Sequence, residues 1–111
     1  MVKKIWLSLI VLITTTFVFL VNSYAADYVI TIKDHKFLPQ ELLMPQGQKI
    51  KLTVKNLDNT PAEFESYDLK REKIVSANNE IVVFIGPLNQ GTYSYFDDFH
   101  PDTAKGTIIV Q

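Results

Sequence analysis

The sequence predicts an all-β protein, folded as a Greek-key β-sandwich of about seven strands. Short runs of apolar residues, several of them alternating with polar ones, are separated by turn residues at spacings of roughly 8–12 residues. No segment carries a helical period longer than about two turns. With 111 residues, the chain has room for one such domain.

The clearest run is Lys49–Asn56, where Ile50, Leu52 and Val54 alternate with polar residues and therefore face one side of a strand. The other predicted strands, in chain order, are residues 27–33, 41–44, 62–66, 81–85, 91–96 and 106–110.

Two segments receive a more specific prediction. Residues 81–85 are apolar on both faces, which is typical of a central strand. Residues 67–73 are predicted to form one helical turn, because Asp68 can cap a helix and Leu69 and Arg71 favour one.

Large aromatic residues are expected to supply the bulk of the core. They are Phe37, Phe64, Phe84, Phe96, Phe99, Tyr93 and Tyr95.

The N-terminus has the pattern of a secretory signal. Lys3 and Lys4 precede an apolar stretch of about 17 residues, and small residues, Ser23 and Ala25, stand at the −3 and −1 positions of a cleavage site. An uncleaved anchor is the alternative, although the stretch is at the short end for spanning a bilayer.

We therefore expect a signal peptide over residues 1–25, cleaved after Ala25 or one residue later, and a domain over residues 26–111 that does not span the membrane. Removal of Lys3 and Lys4 takes the formal charge from −1 to −3. The mature protein is expected in the periplasm or secreted.

Composition excludes several classes of function. The near-neutral charge and the lack of basic runs in the domain argue against a nucleic-acid partner. Without cysteine there are no disulfides, no thiolate ligands and no cysteine nucleophile. No serine has the context of a nucleophile elbow and no glycine-rich phosphate loop is present, so we expect no enzymatic activity.

Side chains that could bind a metal ion are concentrated in two stretches. They are Glu63, Glu65 and Glu72 in the first, and Asp97, Asp98 and His100 in the second. Such oxygen and nitrogen donors suit ferric, cupric or manganous ions. Each also has a structural interpretation, since aspartates cap loops and strand glutamates are often only solvated. His35 is expected to be exposed, without a role.

Several short motifs identify a family resemblance. They are F-x-P at Phe37 to Pro39, a strand ending at Asn56, Pro61 before a short strand, G-x-Y at Gly91 to Tyr93, and G-x-I-x-V at Gly106 to Val110. Over nearly all of the domain, from Asp27 to Gln111, the chain resembles the cupredoxins, which implies a cupredoxin-type sandwich.

The resemblance also locates the positions that hold copper in blue-copper proteins. The first histidine is replaced by Ala62 and the cysteine by Asp97, while the second histidine corresponds to His100. The axial methionine would fall near Ala104 or Lys105. Because blue copper depends on a copper–thiolate bond, the resemblance does not imply blue-copper electron transfer.

The closer resemblance is to the EfeO-type periplasmic cupredoxin subgroup, which is associated with iron uptake. It rests on E-F-E-S from Glu63, followed by Leu69 and Arg71-Glu72, and on D-D-F-H from Asp97. It implies binding of Fe³⁺ or Cu²⁺ through carboxylates and His100, with a membrane iron permease or its periplasmic accessory protein as partner.

We therefore expect a periplasmic protein that handles ferric or cupric ions for uptake or homeostasis. Asp97 and His100 are the expected inner ligands, because they occupy ligand positions of the copper loop, and the other four carboxylates are secondary candidates. The alternative is a metal-free β-sandwich that serves as an interaction or structural module.

Overall fold

The computed structural model describes residues 24–111, with side chains from residue 26 onward. The predicted signal peptide lies almost wholly outside this range. Nine strands and no helix are found among the described residues. Accordingly, no helix there is long and apolar enough to cross a lipid bilayer.

The strands follow one another closely along the chain. They are β1 (Tyr24–Lys33), β2 (Lys36–Leu38), β3 (Glu41–Met44), β4 (Lys49–Asn56), β5 (Ala62–Ser66), β6 (Arg71–Val75), β7 (Glu80–Ile85), β8 (Gly91–Asp97) and β9 (Lys105–Val110).

The strands form two sheets that pack face to face. The first sheet has the strand order β2-β1-β4-β7, and the second sheet has the strand order β3-β9-β8-β5-β6. The chain changes sheet repeatedly, and β1 pairs parallel to β4 just as β3 pairs parallel to β9. The predicted all-β sandwich is thus confirmed, with nine strands rather than about seven.

The core lies between the sheets because alternate residues of each strand face inward. On β4, Ile50 and Leu52 are fully buried, as the alternation predicts. Three aromatic rings meet at the centre, where Tyr95 packs edge-on against Phe37 at 4.9 Å between centroids and at a tilt of 32° against Phe64 at 5.4 Å. Burial of one such side chain contributes about 1.5–3 kcal/mol.

Not all the predicted core aromatics are buried. Phe84 and Phe99 are 51% and 44% exposed, so the prediction is wrong for these two. The prediction is also wrong for Phe96, which is half-buried on the outer face, against the ring of Tyr67. Its neighbour Tyr95 faces the core, and successive residues of a strand point to opposite faces.

The predicted helical turn at residues 67–73 is also wrong. Tyr67 to Lys70 form a tight turn, and the chain continues as β6, paired antiparallel with β5. Asp68 caps no helix but accepts a hydrogen bond from the backbone N–H of Ser94 on β8, at 2.8 Å. Pairing with β5 satisfies the backbone hydrogen bonds of this segment and buries Val75. These two gains outweigh the weak helical preference of the segment.

Strand β7 ends the described order of its sheet and is not central as predicted. Val83 and Ile85 face the core, whereas Phe84 between them is half-exposed. A short apolar run indicates a strand but does not reveal how many neighbours the strand has.

Candidate functional site

Three glutamates meet on the outer face of the second sheet. Glu63 and Glu65 flank Phe64, which is fully buried, so both glutamates point away from the core. Glu72 on β6 lies directly across from Glu65 in the antiparallel register. Carboxylate oxygens of Glu63, Glu65 and Glu72 lie within 4.8 Å of one another, which is close enough for a single cation to contact all three.

The crowding of negative charge alters the acidity of this group. A hydrogen bond with Glu72, together with burial and the charges of Glu72, Asp98 and Glu65, raises the pKa of Glu63 to about 7. Burial and the charges of Glu72 and Asp98 also raise the pKa of Glu65. At neutral pH the group therefore holds a proton part of the time, which a cation would displace. We call Glu63, Glu65, Glu72 and Asp98 the acidic face.

Asp97 belongs to a different environment. Its side chain is fully buried, and its Oδ1 accepts hydrogen bonds from the backbone N–H of Glu63 at 2.9 Å and of Phe99 at 3.0 Å. Its Oδ2 lies 3.1 Å from Nδ1 of His100. These contacts join β5 to the β8–β9 loop, so Asp97 holds the loop in place and orients the His100 ring.

His100 lies in the turn that follows β8. Its backbone N–H donates to Asp97 and its carbonyl accepts from Ala104, so the turn is closed on both sides. The ring is partly exposed and stacks on the ring of His35, with centroids 3.7 Å apart and an angle of 18° between planes.

His35, which was expected to have no role, lies at this end of the sandwich as the stacking partner of His100. His35 and Asp34 form the turn between β1 and β2. These strands belong to one sheet, whereas His100 follows β8, which belongs to the other. Nδ1 of His35 lies 3.5 Å from Oδ2 of Asp58. The sequence feature that could have indicated His35 is the pair Asp34-His35 between two strands. This pair is typical of a turn, and the turn brings the His35 ring to one end of the sandwich.

The six predicted ligands thus separate into two groups. The four members of the acidic face share one surface, while Asp97 and His100 meet at the end of the sandwich. Because Asp97 and Asp98 are consecutive, one side chain turns inward to the loop and the other lies beside the glutamates. That Asp97 and His100 supply the inner metal ligands stays a prediction.

The residues at the blue-copper positions do not fit a blue-copper centre. Ala62 and Ala104 are buried and carry no ligand atom, and Asp97 has both oxygens engaged. Among the residues at these positions, only His100 has a side-chain nitrogen, Nε2, that is available to bind a metal ion. The carboxylates of the acidic face instead offer oxygen atoms that could bind a cation.

The arrangement defines a small β-sandwich protein of the cupredoxin type. The model of the cupredoxin-like domain family matches residues 6–110, and the chain belongs to that family. An uncharacterized protein of Rickettsia prowazekii (strain Madrid E) is 49% identical over 89 residues, which cover 80% of this chain and 71% of the relative.

Solved structures share the fold at low sequence identity. Auracyanin A, a blue copper protein from Chloroflexus aurantiacus, has a TM-score of 0.66 at 15% identity, over 78% of this chain and 98% of its own. The metal-binding domain of the Cu(I)-exporting P-type ATPase CopA from Streptococcus pneumoniae also has a TM-score of 0.66 at 15% identity, over 77% and 84%. A point mutant of amicyanin in its Cu(I) form has 0.63 at 20% identity, over 77% and 82%.

Proposed function

We propose that this protein binds an oxidised transition-metal ion, Fe³⁺ or Cu²⁺, in the periplasm and serves the uptake or homeostasis of that ion. The observation that carries the proposal is the convergence of three carboxylates, from Glu63, Glu65 and Glu72, within 4.8 Å on one outer face of the sandwich. The ion is cargo in this proposal, held by oxygen atoms of the acidic face.

The electrostatics of the acidic face support a cation there. Three neighbouring carboxylates repel one another, and Glu63 responds by retaining a proton up to a pKa of about 7. A bound ion replaces the proton and neutralises the repulsion among all members of the group. Anionic oxygen donors favour hard ions over soft ones, which supports Fe³⁺ first and Cu²⁺ second, and disfavours Cu⁺.

The resemblance to the EfeO-type subgroup supports iron as the cargo and an iron permease or its accessory protein as the partner. The N-terminal pattern of Lys3, Lys4 and an apolar stretch supports export. Auracyanin A, a blue copper protein, and the Cu(I)-bound domain of CopA have the same fold, which supports copper as the second candidate. Blue-copper electron transfer is not proposed, because the chain has no thiolate.

The proposal is tested by metal titration of the purified protein. Fe³⁺, supplied as its nitrilotriacetate complex, and Cu²⁺ are each titrated into wild type and into the double variant Glu63→Gln/Glu72→Gln. Both changes keep the side-chain size and remove a charged oxygen donor. We expect the double variant to bind Fe³⁺ at least about tenfold more weakly, equivalent to about 1.4 kcal/mol of binding free energy.

Glu80→Gln is the matched control, because Glu80 is also an exposed strand glutamate but lies on β7 in the other sheet. It should bind both ions like wild type. Equal Fe³⁺ binding by wild type and the double variant would exclude the acidic face as the iron site. If wild type binds neither ion, the metal-free interaction module becomes the better description of the protein.

A further inference from the structure

The two histidines of the chain come together at one end of the sandwich. His35 lies in the turn between β1 and β2, in the first sheet, and His100 lies in the loop between β8 and β9, in the second. Their rings stack at 3.7 Å, so the contact joins two elements that are far apart in the sequence. Neither ring belongs to the acidic face.

A carboxylate lies next to the Nδ1 atom of each ring. Nδ1 of His100 lies 3.1 Å from Oδ2 of Asp97, and Nδ1 of His35 lies 3.5 Å from Oδ2 of Asp58. A carboxylate at Nδ1 favours the tautomer with hydrogen on Nδ1, which leaves a lone pair on Nε2. Metal-binding histidines in proteins commonly have this arrangement, because the carboxylate orients the ring and makes Nε2 more basic.

Both carboxylates are themselves fixed by backbone groups. Asp97 accepts from the N–H groups of Glu63 and Phe99, as described above. Asp58 accepts from the N–H of Asp34 at 2.7 Å and of His35 at 3.0 Å. The orientation of each ring therefore depends on a group with little freedom to move.

The turn that carries His35 adopts an uncommon backbone conformation. Asp34 and His35 have φ values of 51° and 56°, in the left-handed region that favours glycine. A residue other than glycine costs about 1–2 kcal/mol in that region. The Asp58 carboxylate offsets part of this cost by accepting hydrogen bonds from both N–H groups of the turn.

The rings remain accessible to solvent, since the side chains of His35 and His100 are 41% and 30% exposed. To bind one ion through both Nε2 atoms, the stacked rings must tilt apart. His35 is the ring that can tilt, because its Nδ1 lies 3.5 Å from its carboxylate, against 3.1 Å for His100, and its side chain is the more exposed. Water can then complete the coordination of the ion.

We propose that His35 and His100 form a second metal site, which binds a borderline divalent ion through the two Nε2 atoms and prefers Cu²⁺. Imidazole donors suit copper, nickel and zinc, and among divalent first-row ions Cu²⁺ binds such sites most tightly. This site differs from the acidic face in its residues, in its donor atoms and in the ion that it selects.

The test is pulsed EPR on the purified protein with one equivalent of Cu²⁺, because this method detects the remote nitrogen of a coordinated imidazole. The chain contains 2 histidines, so every imidazole signal arises from His35 or His100. We expect signals from two imidazoles in wild type, and from two in the double variant Glu63→Gln/Glu72→Gln.

His35→Asn and His100→Phe should each remove one imidazole signal and weaken Cu²⁺ binding at least about tenfold. Asparagine tolerates the positive φ of the turn, and phenylalanine keeps a ring in the stack. Fe³⁺ binding should stay as in wild type in His35→Asn, which separates this site from the acidic face.

A second measurement requires no substitution: Zn²⁺ should shift the ¹⁵N NMR signals of both Nε2 atoms and leave Nδ1 protonated. Absence of imidazole coupling with Cu²⁺ in wild type would overturn the proposal. Loss of the imidazole signals in Glu63→Gln/Glu72→Gln would also overturn it, since the two groups would then form one site.

Discussion

At the scale of single residues, two adjacent acidic side chains have different roles because β8 ends at Asp97 and the loop begins at Asp98. Asp97 points into the protein and accepts hydrogen bonds from backbone N–H groups. Asp98, the next residue, is exposed and adds its charge to the acidic face. The same residue type therefore serves the structure at one position and offers a free carboxylate at the next.

Glu63 provides a prediction about pH. Its pKa is 4.5 in an unperturbed chain and about 7 in the folded protein. Between these values the folded state keeps a proton that the unfolded state has released, so the contribution of Glu63 to stability is complete below pH 4.5 and is lost as the pH rises through about 7. We expect metal-free protein to be more stable to urea at pH 5 than at pH 7.5.

Glu63→Gln is the corresponding variant, because glutamine does not titrate. Its stability should depend less on pH over the same interval, since this proton no longer contributes. Glu80→Gln again serves as the control and should keep the wild-type dependence. An identical pH dependence in Glu63→Gln and wild type would show that the proton is held elsewhere.

At the scale of elements, the pairing of β8 with β9 depends on one small residue. Gly106 lies directly across from Tyr95, and a Cβ atom at Gly106 would overlap the Tyr95 ring. The ring thus occupies the space that a side chain on β9 would fill. The Tyr95 hydroxyl is buried and has no hydrogen-bond partner among the described residues. Burial alone raises the pKa of this hydroxyl.

Two substitutions at this pair should change stability in opposite directions. Gly106→Ala should lower the free energy of unfolding by about 1–3 kcal/mol, because the ring cannot move without disturbing the core. Tyr95→Phe should raise it by about 1 kcal/mol, because it removes a buried polar group without a partner. Urea denaturation of both variants measures these changes. A destabilised Tyr95→Phe would indicate that the hydroxyl has a partner after all.

At the scale of the whole molecule, a fold that is shared with copper proteins is combined with a different set of donor atoms. Of the positions that the cupredoxin resemblance assigns to copper ligands, neither Ala62 nor the axial position near Ala104 or Lys105 has a histidine or a methionine, and Asp97 takes the place of the thiolate. The sandwich therefore brings residues to the same end of the molecule without reproducing the blue-copper site. Fold similarity alone does not transfer that function.

This difference predicts the colour of the copper-loaded protein. Without a copper–thiolate bond, the Cu²⁺ form should show only the weak visible bands of oxygen and nitrogen ligation. The absorption spectrum after addition of one equivalent of Cu²⁺ measures this directly. An intense blue complex would contradict the description of both proposed sites.

The sequence by itself determined the fold class and most strand positions. β4 and β5 have the predicted bounds, because alternation with a period of two is a local property of the chain. The placement of Glu63 and Glu65 on one face follows from the same alternation about Phe64.

Only the tertiary structure decided which residues meet across the sandwich. The edge position of β7, the pairing of β6 with β5, and the stack of His35 on His100 each depend on contacts between segments that are separate in the sequence. A histidine in a polar turn looks exposed and unimportant when only its neighbours in the chain are considered. It becomes a candidate ligand because folding places a second imidazole 3.7 Å away and a carboxylate behind each ring.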